Sequence, residues 1–86
     1  MDLLSEIKNV FPILERLFSP KELKNFISTK YIDLDKYHFS FGLWIRNNIL
    51  KEGSSLERLF VKAGVLSKDD MSAFIIQSFY LYQKTK

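Results

Sequence analysis

Four residues of this sequence have side chains whose types could do chemistry: the single histidine His38, Arg46, and the neighbouring carboxylates Asp69 and Asp70. An imidazole with carboxylates can form a general base or part of a metal site, and a guanidinium binds anions. One histidine and two carboxylates that are distant in sequence are a weak argument for either. We therefore expect no catalytic residue, no metal and no cofactor.

The histidine and the arginine lie in residues 34–50, LDKYHFSFGLWIRNNIL, around which the rest of the chain is predicted to fold. At 100° per residue this stretch is apolar over most of its circumference, with one narrow polar arc. A helix of this kind must be covered nearly all round, with Asp33 or Asp35 as its N-cap. Gly42, in its interior, indicates the close approach of another backbone.

The first part of the chain predicts two further helices. Residues 3–18 keep one apolar face across Pro12, which lies on the polar side, so we expect a kinked but continuous helix. Ser19, Pro20 and Glu22 are typical of a capping box with proline at the first helical position. A short second helix follows them.

The last part of the chain predicts another pair. Ser54 and Glu57 form a second capping-box pattern, and Gly64 stands where a left-handed residue ends a helix. Ser67 caps the last helix. The predicted core face of that helix consists of Met71, Phe74, Ile75, Ser78, Phe79, Leu81 and Tyr82. The sequence thus predicts an all-α fold, a compact bundle of about five helices around a central buried helix, in a single domain spanning residues 1–86.

Composition excludes several classes of protein. The chain has no cysteine, so it forms no disulfide and carries no thiolate chemistry. Charged residues interrupt the first segment, where a signal peptide would need an apolar core, and no run approaches the ~18 apolar residues of a membrane span. We expect a cytoplasmic protein with no membrane segment.

The charge distribution argues against nucleic acid as the partner. The net charge is +3, with its surplus in the middle of the chain, which is weak for a dedicated nucleic-acid binder. The last two helices have the lengths of a helix-turn-helix. The second of them, however, would begin with Asp69 and Asp70, which would repel phosphates.

Polar residues within the apolar arc of the central stretch need partners, because an unpaired buried polar group is destabilising. We expect Asn47 and Asn48 to bind the backbone of the following turn. Arg46 would bind the carboxylate of Asp69 or Asp70, which otherwise oppose the helix dipole. The alternative is that Arg46, Asn47 and Asn48 form an exposed recognition cluster.

Two blocks of this sequence resemble a known family. Residues 37–48, YHFSFGLWIRNN, and residues 69–72, DDMS, are similar to the paired signature blocks of an uncharacterised bacterial family named only as a domain of unknown function. The similarity covers about residues 34–82. Members often carry a histidine and a proline just before the two aspartates, where this chain has Leu66, Ser67 and Lys68.

The resemblance implies no activity, but it identifies matched polar positions that we predict to form a structural polar network. These positions are His38, Arg46, Asn47, Asn48, Asp69, Asp70 and Ser72.

The function we expect is that of a non-enzymatic interaction module that binds a protein partner. That partner is either a different protein or a second copy of the chain. Its surplus of aromatic residues suggests an exposed interface formed by Ile76 and Tyr80 on the last helix and by Phe39 and Leu43 on the central one. The alternatives are a small enzyme that uses His38, Arg46 and the two aspartates, or a weakly basic nucleic-acid-binding domain.

Overall fold

A computed structural model describes residues 2–86 and contains helices joined by short turns. The elements are α1 (Leu3–Glu15), α2 (Pro20–Ser28), a 3₁₀ segment (Tyr31–Tyr37), a π-helical turn (His38–Gly42), α3 (Leu43–Asn48), α4 (Ser55–Lys62) and α5 (Lys68–Lys84). The 3₁₀ segment, the π turn and α3 follow one another without a break, and together we call them the central segment. The predicted all-α bundle of five helical elements is confirmed, and no strand occurs in residues 2–86.

Helix α1 is continuous through Pro12, as predicted. Asp2 caps it by accepting a 2.8 Å hydrogen bond from the backbone N–H of Ser5. Pro12 is exposed, so water can satisfy the carbonyl that the proline leaves without a donor. The helix ends at Glu15 rather than at Phe18, because the last backbone bonds are the i→i+3 bonds of a tightened final turn.

Local capping works largely as the sequence indicates. Ser19 and Glu22 form the complete capping box of α2. The Ser54 hydroxyl accepts from the backbone N–H of Glu57, but the Glu57 carboxylate reaches Gly53 instead of closing the second box. Gly64 has a φ of 94°, the left-handed conformation that was expected at the end of α4.

Residues 34–50 are largely helical as predicted, but they do not form one α-helix that is covered nearly all round. The chain there passes from a 3₁₀ helix through a π turn into α3, and each type of turn rotates the side chains by a different angle. A projection at 100° per residue therefore misplaces them. Phe39 is 84% exposed, while Phe41 is buried. Neither Asp33 nor Asp35 caps the segment.

Aromatic rings from four elements form the centre of the core. The fully buried Phe26 ring of α2 lies with its centroid 5.0–5.8 Å from those of five other rings. These rings belong to Phe18, Tyr37, Phe41, Phe79 and Tyr80. The hub of the core is therefore in α2 and α5 as much as in the central segment.

The predicted core face of α5 was correct only in part: Met71, Ile75 and Phe79 are buried as predicted. Its buried residues are Met71, Ser72, Ile75, Ile76, Phe79, Tyr80 and Gln83. Phe74, Leu81 and Tyr82, which were expected in the core, are more exposed. Because α5 is apolar on most sides, its orientation depends on which polar groups find buried partners.

Two residues of the predicted interface move into the core with this rotation. Ile76 is 4% exposed and Tyr80 is 5% exposed, so neither contributes much area to an outer surface. The Tyr80 hydroxyl donates to the backbone carbonyl of Thr29, which holds α5 against the end of α2. Within residues 2–86, no helix is both long enough and apolar enough to cross a membrane.

Candidate functional site

A polar cluster centred on Arg46 joins the central segment to the start of α5. The Arg46 side chain is 12% exposed. Its Nη1 donates to the Ser72 hydroxyl at 2.9 Å, and its Nη2 donates to the backbone carbonyl of His38 at 3.0 Å. The guanidinium thus connects α3 to the π turn and to α5. We call His38, Arg46, Asp69 and Ser72 the Arg46 cluster.

The carboxylate of this cluster lies at its edge. Asp69 Oδ1 is 3.5 Å from Arg46 Nε and 3.9 Å from His38 Nε2, and the Asp69 side chain is 65% exposed. Solvent screens an ion pair at that exposure, so its contribution to stability is small. Ser67 positions this turn by accepting from the backbone N–H of Asp69 at 3.1 Å. The Ser72 hydroxyl donates to the Asp69 carbonyl at 3.0 Å.

Gly42 provides the space for the guanidinium. A Cβ atom built on Gly42 would lie 3.0 Å from Arg46 Nη1, 3.4 Å from the Tyr37 carbonyl oxygen and 3.5 Å from Ile76 Cδ1. The nearest neighbour of this position is therefore the side chain of Arg46, whereas the sequence suggested the close approach of another backbone. Its φ of −61° is ordinary, so space and not backbone conformation favours glycine here.

Three of the polar positions matched by the family resemblance lie outside the Arg46 cluster. Asn47 and Asn48 are exposed. Asn48 donates to the carbonyl of Trp44 at 2.9 Å, one turn earlier, and does not reach the following turn as predicted. Asp70 is exposed, and its backbone N–H bonds to Ser67.

The chemistry available to the Arg46 cluster is limited by what its groups already bind. Two nitrogens of the guanidinium donate to protein acceptors and the third faces Asp69. The guanidinium therefore links helical elements of the fold to one another. No three His, Asp or Glu side chains of residues 2–86 are grouped so that they could hold a metal ion.

The imidazole of His38 also lines an apolar groove between the 3₁₀ segment and α5. This interaction groove has a volume of about 410 Å³. Its lining consists of Tyr31, Ile32, Leu34, Asp35, His38, Ala73, Ile76 and Gln77. Ile32 is 81% exposed, and the Phe39 ring contacts His38 edge-to-face with centroids 4.7 Å apart.

The sequence analysis did not predict Tyr31 and Ile32 as interface residues. A pair of large apolar residues between Lys30 and Asp33 could have indicated an exposed apolar turn. Phe39 and Leu43, which the sequence did predict as interface residues, are both exposed.

A second missed network ties α5 to α1. The Gln83 amide donates to Glu15 Oε1 at 2.8 Å, and the Lys86 ammonium donates to the same oxygen at 2.6 Å. These two hydrogen bonds, that of Lys86 first, hold the pKa of the Glu15 carboxyl below its ordinary value. The same contact raises the pKa of Lys86.

The fold and the site define a small all-α domain. In it, the hydrogen bonds of Arg46 hold the central segment against α5, and an exposed apolar groove lies beside them. The chain belongs to the family described as a domain of unknown function, DUF6794, whose model matches residues 5–83. No curated protein and no solved structure matches the chain significantly.

Proposed function

We propose that this domain is a non-enzymatic interaction module that binds a protein partner through the interaction groove and the exposed apolar residues beside it. The observation that carries the proposal is the exposure of Ile32 and Phe39, at 81% and 84%, next to the groove. Large apolar side chains at that exposure gain free energy when a partner covers them, at about 25 cal/mol per Å². Leu43, four residues after Phe39 in the central segment, is half exposed.

A second copy of the chain is the partner to test first. The experiment compares the wild type with Phe39→Ser by light scattering across a range of protein concentrations. Leu4→Ser is the matched control, because Leu4 is 62% exposed and lines a separate groove. We expect association that Phe39→Ser abolishes and Leu4→Ser preserves.

A different protein partner would be recovered by affinity capture with the wild type and with Leu4→Ser, but not with Phe39→Ser. A strictly monomeric wild type that also captures no protein would overturn the proposal. Capture that is equal for all three variants would exclude this surface.

We further propose that the Arg46 cluster is structural and that the chain is a single bacterial, cytoplasmic domain. The hydrogen bonds of the guanidinium to the Ser72 hydroxyl and to the His38 carbonyl support the structural role.

A small enzyme remains a second candidate because one observation favours it: His38 Nε2 and Arg46 Nε both lie within 4 Å of Asp69 Oδ1. Conversion of a substrate that is lost in His38→Gln, while the melting temperature stays unchanged, would establish it. Nucleic-acid binding is less favoured, since the exposed Asp69 and Asp70 stand at the start of α5.

A further inference from the structure

A further pocket lies between the turn that follows α1, the first turn of α2 and the central segment. It has a volume of about 320 Å³, and its lining includes four aromatic residues: Phe18, Tyr37, Phe41 and Trp44. We call it the aromatic pocket. It shares no lining residue with the interaction groove, so its occupant is a separate question.

Three of the four rings of this pocket are partly exposed. Phe41 is buried and packs edge-to-face against Phe18 with centroids 5.0 Å apart, whereas Phe18, Tyr37 and Trp44 are each partly exposed. The chain already brings an ammonium group to one of them, since Lys36 Nζ lies 5.5 Å from the centroid of the Tyr37 ring. Aromatic faces attract cations because the ring quadrupole makes them negative.

The only charged side chain in the lining is a carboxylate, that of Glu22. Its Oε1 accepts a 2.8 Å hydrogen bond from the backbone N–H of Ser19, which fixes the carboxylate at the start of α2. The hydrogen bonds from Ser19 hold the pKa of Glu22 below its ordinary value, so the group is anionic at neutral pH. The lining therefore combines aromatic rings with one negative charge, beside the Lys36 ammonium at the Tyr37 ring.

We propose that the aromatic pocket binds a trimethylammonium group. Such a group carries a diffuse positive charge on an apolar surface and needs no hydrogen-bond acceptor, which matches rings and one carboxylate. An anion would be repelled by Glu22, and a neutral group of the same shape would gain only apolar contact. At about 320 Å³ the pocket is at the small end of ligand sites, which suits a head group.

Choline is the probe, and 3,3-dimethylbutan-1-ol, which has the same shape without the charge, is its matched control. Trp44 is the only tryptophan, so its fluorescence reports this pocket alone. We expect saturable binding of choline that is about tenfold tighter than that of the neutral alcohol, as a favourable cation–π contact of one to two kcal/mol implies. Equal affinities, or no binding of choline, would overturn the proposal.

Three variants locate the site. Glu22→Gln keeps the capping box, since glutamine is also accepted at that position, and we expect it to weaken choline binding about two- to fivefold. Trp44→Leu, followed by the NMR shift of the choline methyl protons, should lose more than tenfold. Phe74→Leu, a partly exposed ring outside the pocket, should bind as the wild type does.

The outcomes remain decisive if Trp44→Leu does not fold, because the comparison with the neutral alcohol and the Glu22→Gln variant use a folded protein. Undiminished binding by a folded Trp44→Leu would refute the site. Co-sedimentation with phosphatidylcholine vesicles would identify a lipid head group as the source of the ligand. Choline binding without co-sedimentation would identify a free solute.

Discussion

Truncation of Arg46 is the most informative single test of this fold. Arg46→Ala removes the donors to the His38 carbonyl and to the fully buried Ser72 hydroxyl. A hydrogen bond to a charged group contributes about 1.5–3 kcal/mol, and a buried acceptor left without a donor costs about 1–3 kcal/mol. The ion pair with Asp69 adds little, since that carboxylate is 65% exposed.

The expected loss is therefore about 3–4 kcal/mol of unfolding free energy. It arises from the lost hydrogen bonds to the His38 carbonyl and the Ser72 hydroxyl, and not from the loss of a carboxylate partner, which the sequence had predicted for Arg46. A domain of this size has a total stability on the order of 4–13 kcal/mol. The variant therefore either keeps a measurable free energy of unfolding or is barely folded. The midpoint of thermal unfolding should fall by roughly 15–25 °C.

Urea denaturation followed by circular dichroism measures this loss, with the exposed Arg58→Ala as the matched control at a change within about 0.5 kcal/mol. Arg46→Met keeps the aliphatic stem, so its loss isolates the guanidinium from the packing of the stem. A loss in Arg46→Ala below about 1 kcal/mol would refute the reasoning and indicate a guanidinium that is free to act on a ligand.

Three further perturbations test other parts of the structure. Gly42→Ala should destabilise by about 1 kcal/mol, because the added methyl displaces the guanidinium, and this loss should disappear in an Arg46→Met background. Tyr80→Phe removes the donor to the Thr29 carbonyl and should cost about 1–2 kcal/mol in urea denaturation. Glu15→Gln should lower stability at neutral pH, but the difference from the wild type should vanish in acid. Since the folded pKa of Glu15 lies below the ordinary 4.5, the stabilisation is complete above that value and is lost as the pH falls through the folded pKa.

Each of these predictions has a result that contradicts it. Stabilisation by Gly42→Ala would mean that the Arg46 side chain can shift to make room for the added methyl group without a loss of unfolding free energy. Tyr82→Phe, at a more exposed tyrosine on the same helix, is the control for Tyr80→Phe, and equal effects would contradict the buried bond. A wild-type advantage over Glu15→Gln that persists at pH 2 would show that packing and not charge joins α5 to α1.

The sequence alone determined the features that depend on a few neighbouring residues. The capping of α2 by Ser19 and Glu22, the left-handed Gly64 and the cap at Ser67 each join groups no more than four residues apart. Their hydrogen bonds form within one turn and need no tertiary partner. The continuity of α1 across Pro12 was also predictable, because one apolar face extends along the helix.

Only the tertiary structure decided which sides of the central segment and of α5 are buried. Both are apolar in several directions, so the hydrophobic pattern permits more than one orientation. Contacts between distant residues select one of them: Ser72 with Arg46, Gln83 with Glu15, and the Tyr80 hydroxyl with the end of α2. Buried polar groups must find partners, and where those partners lie depends on how separate helices meet, which no local pattern records.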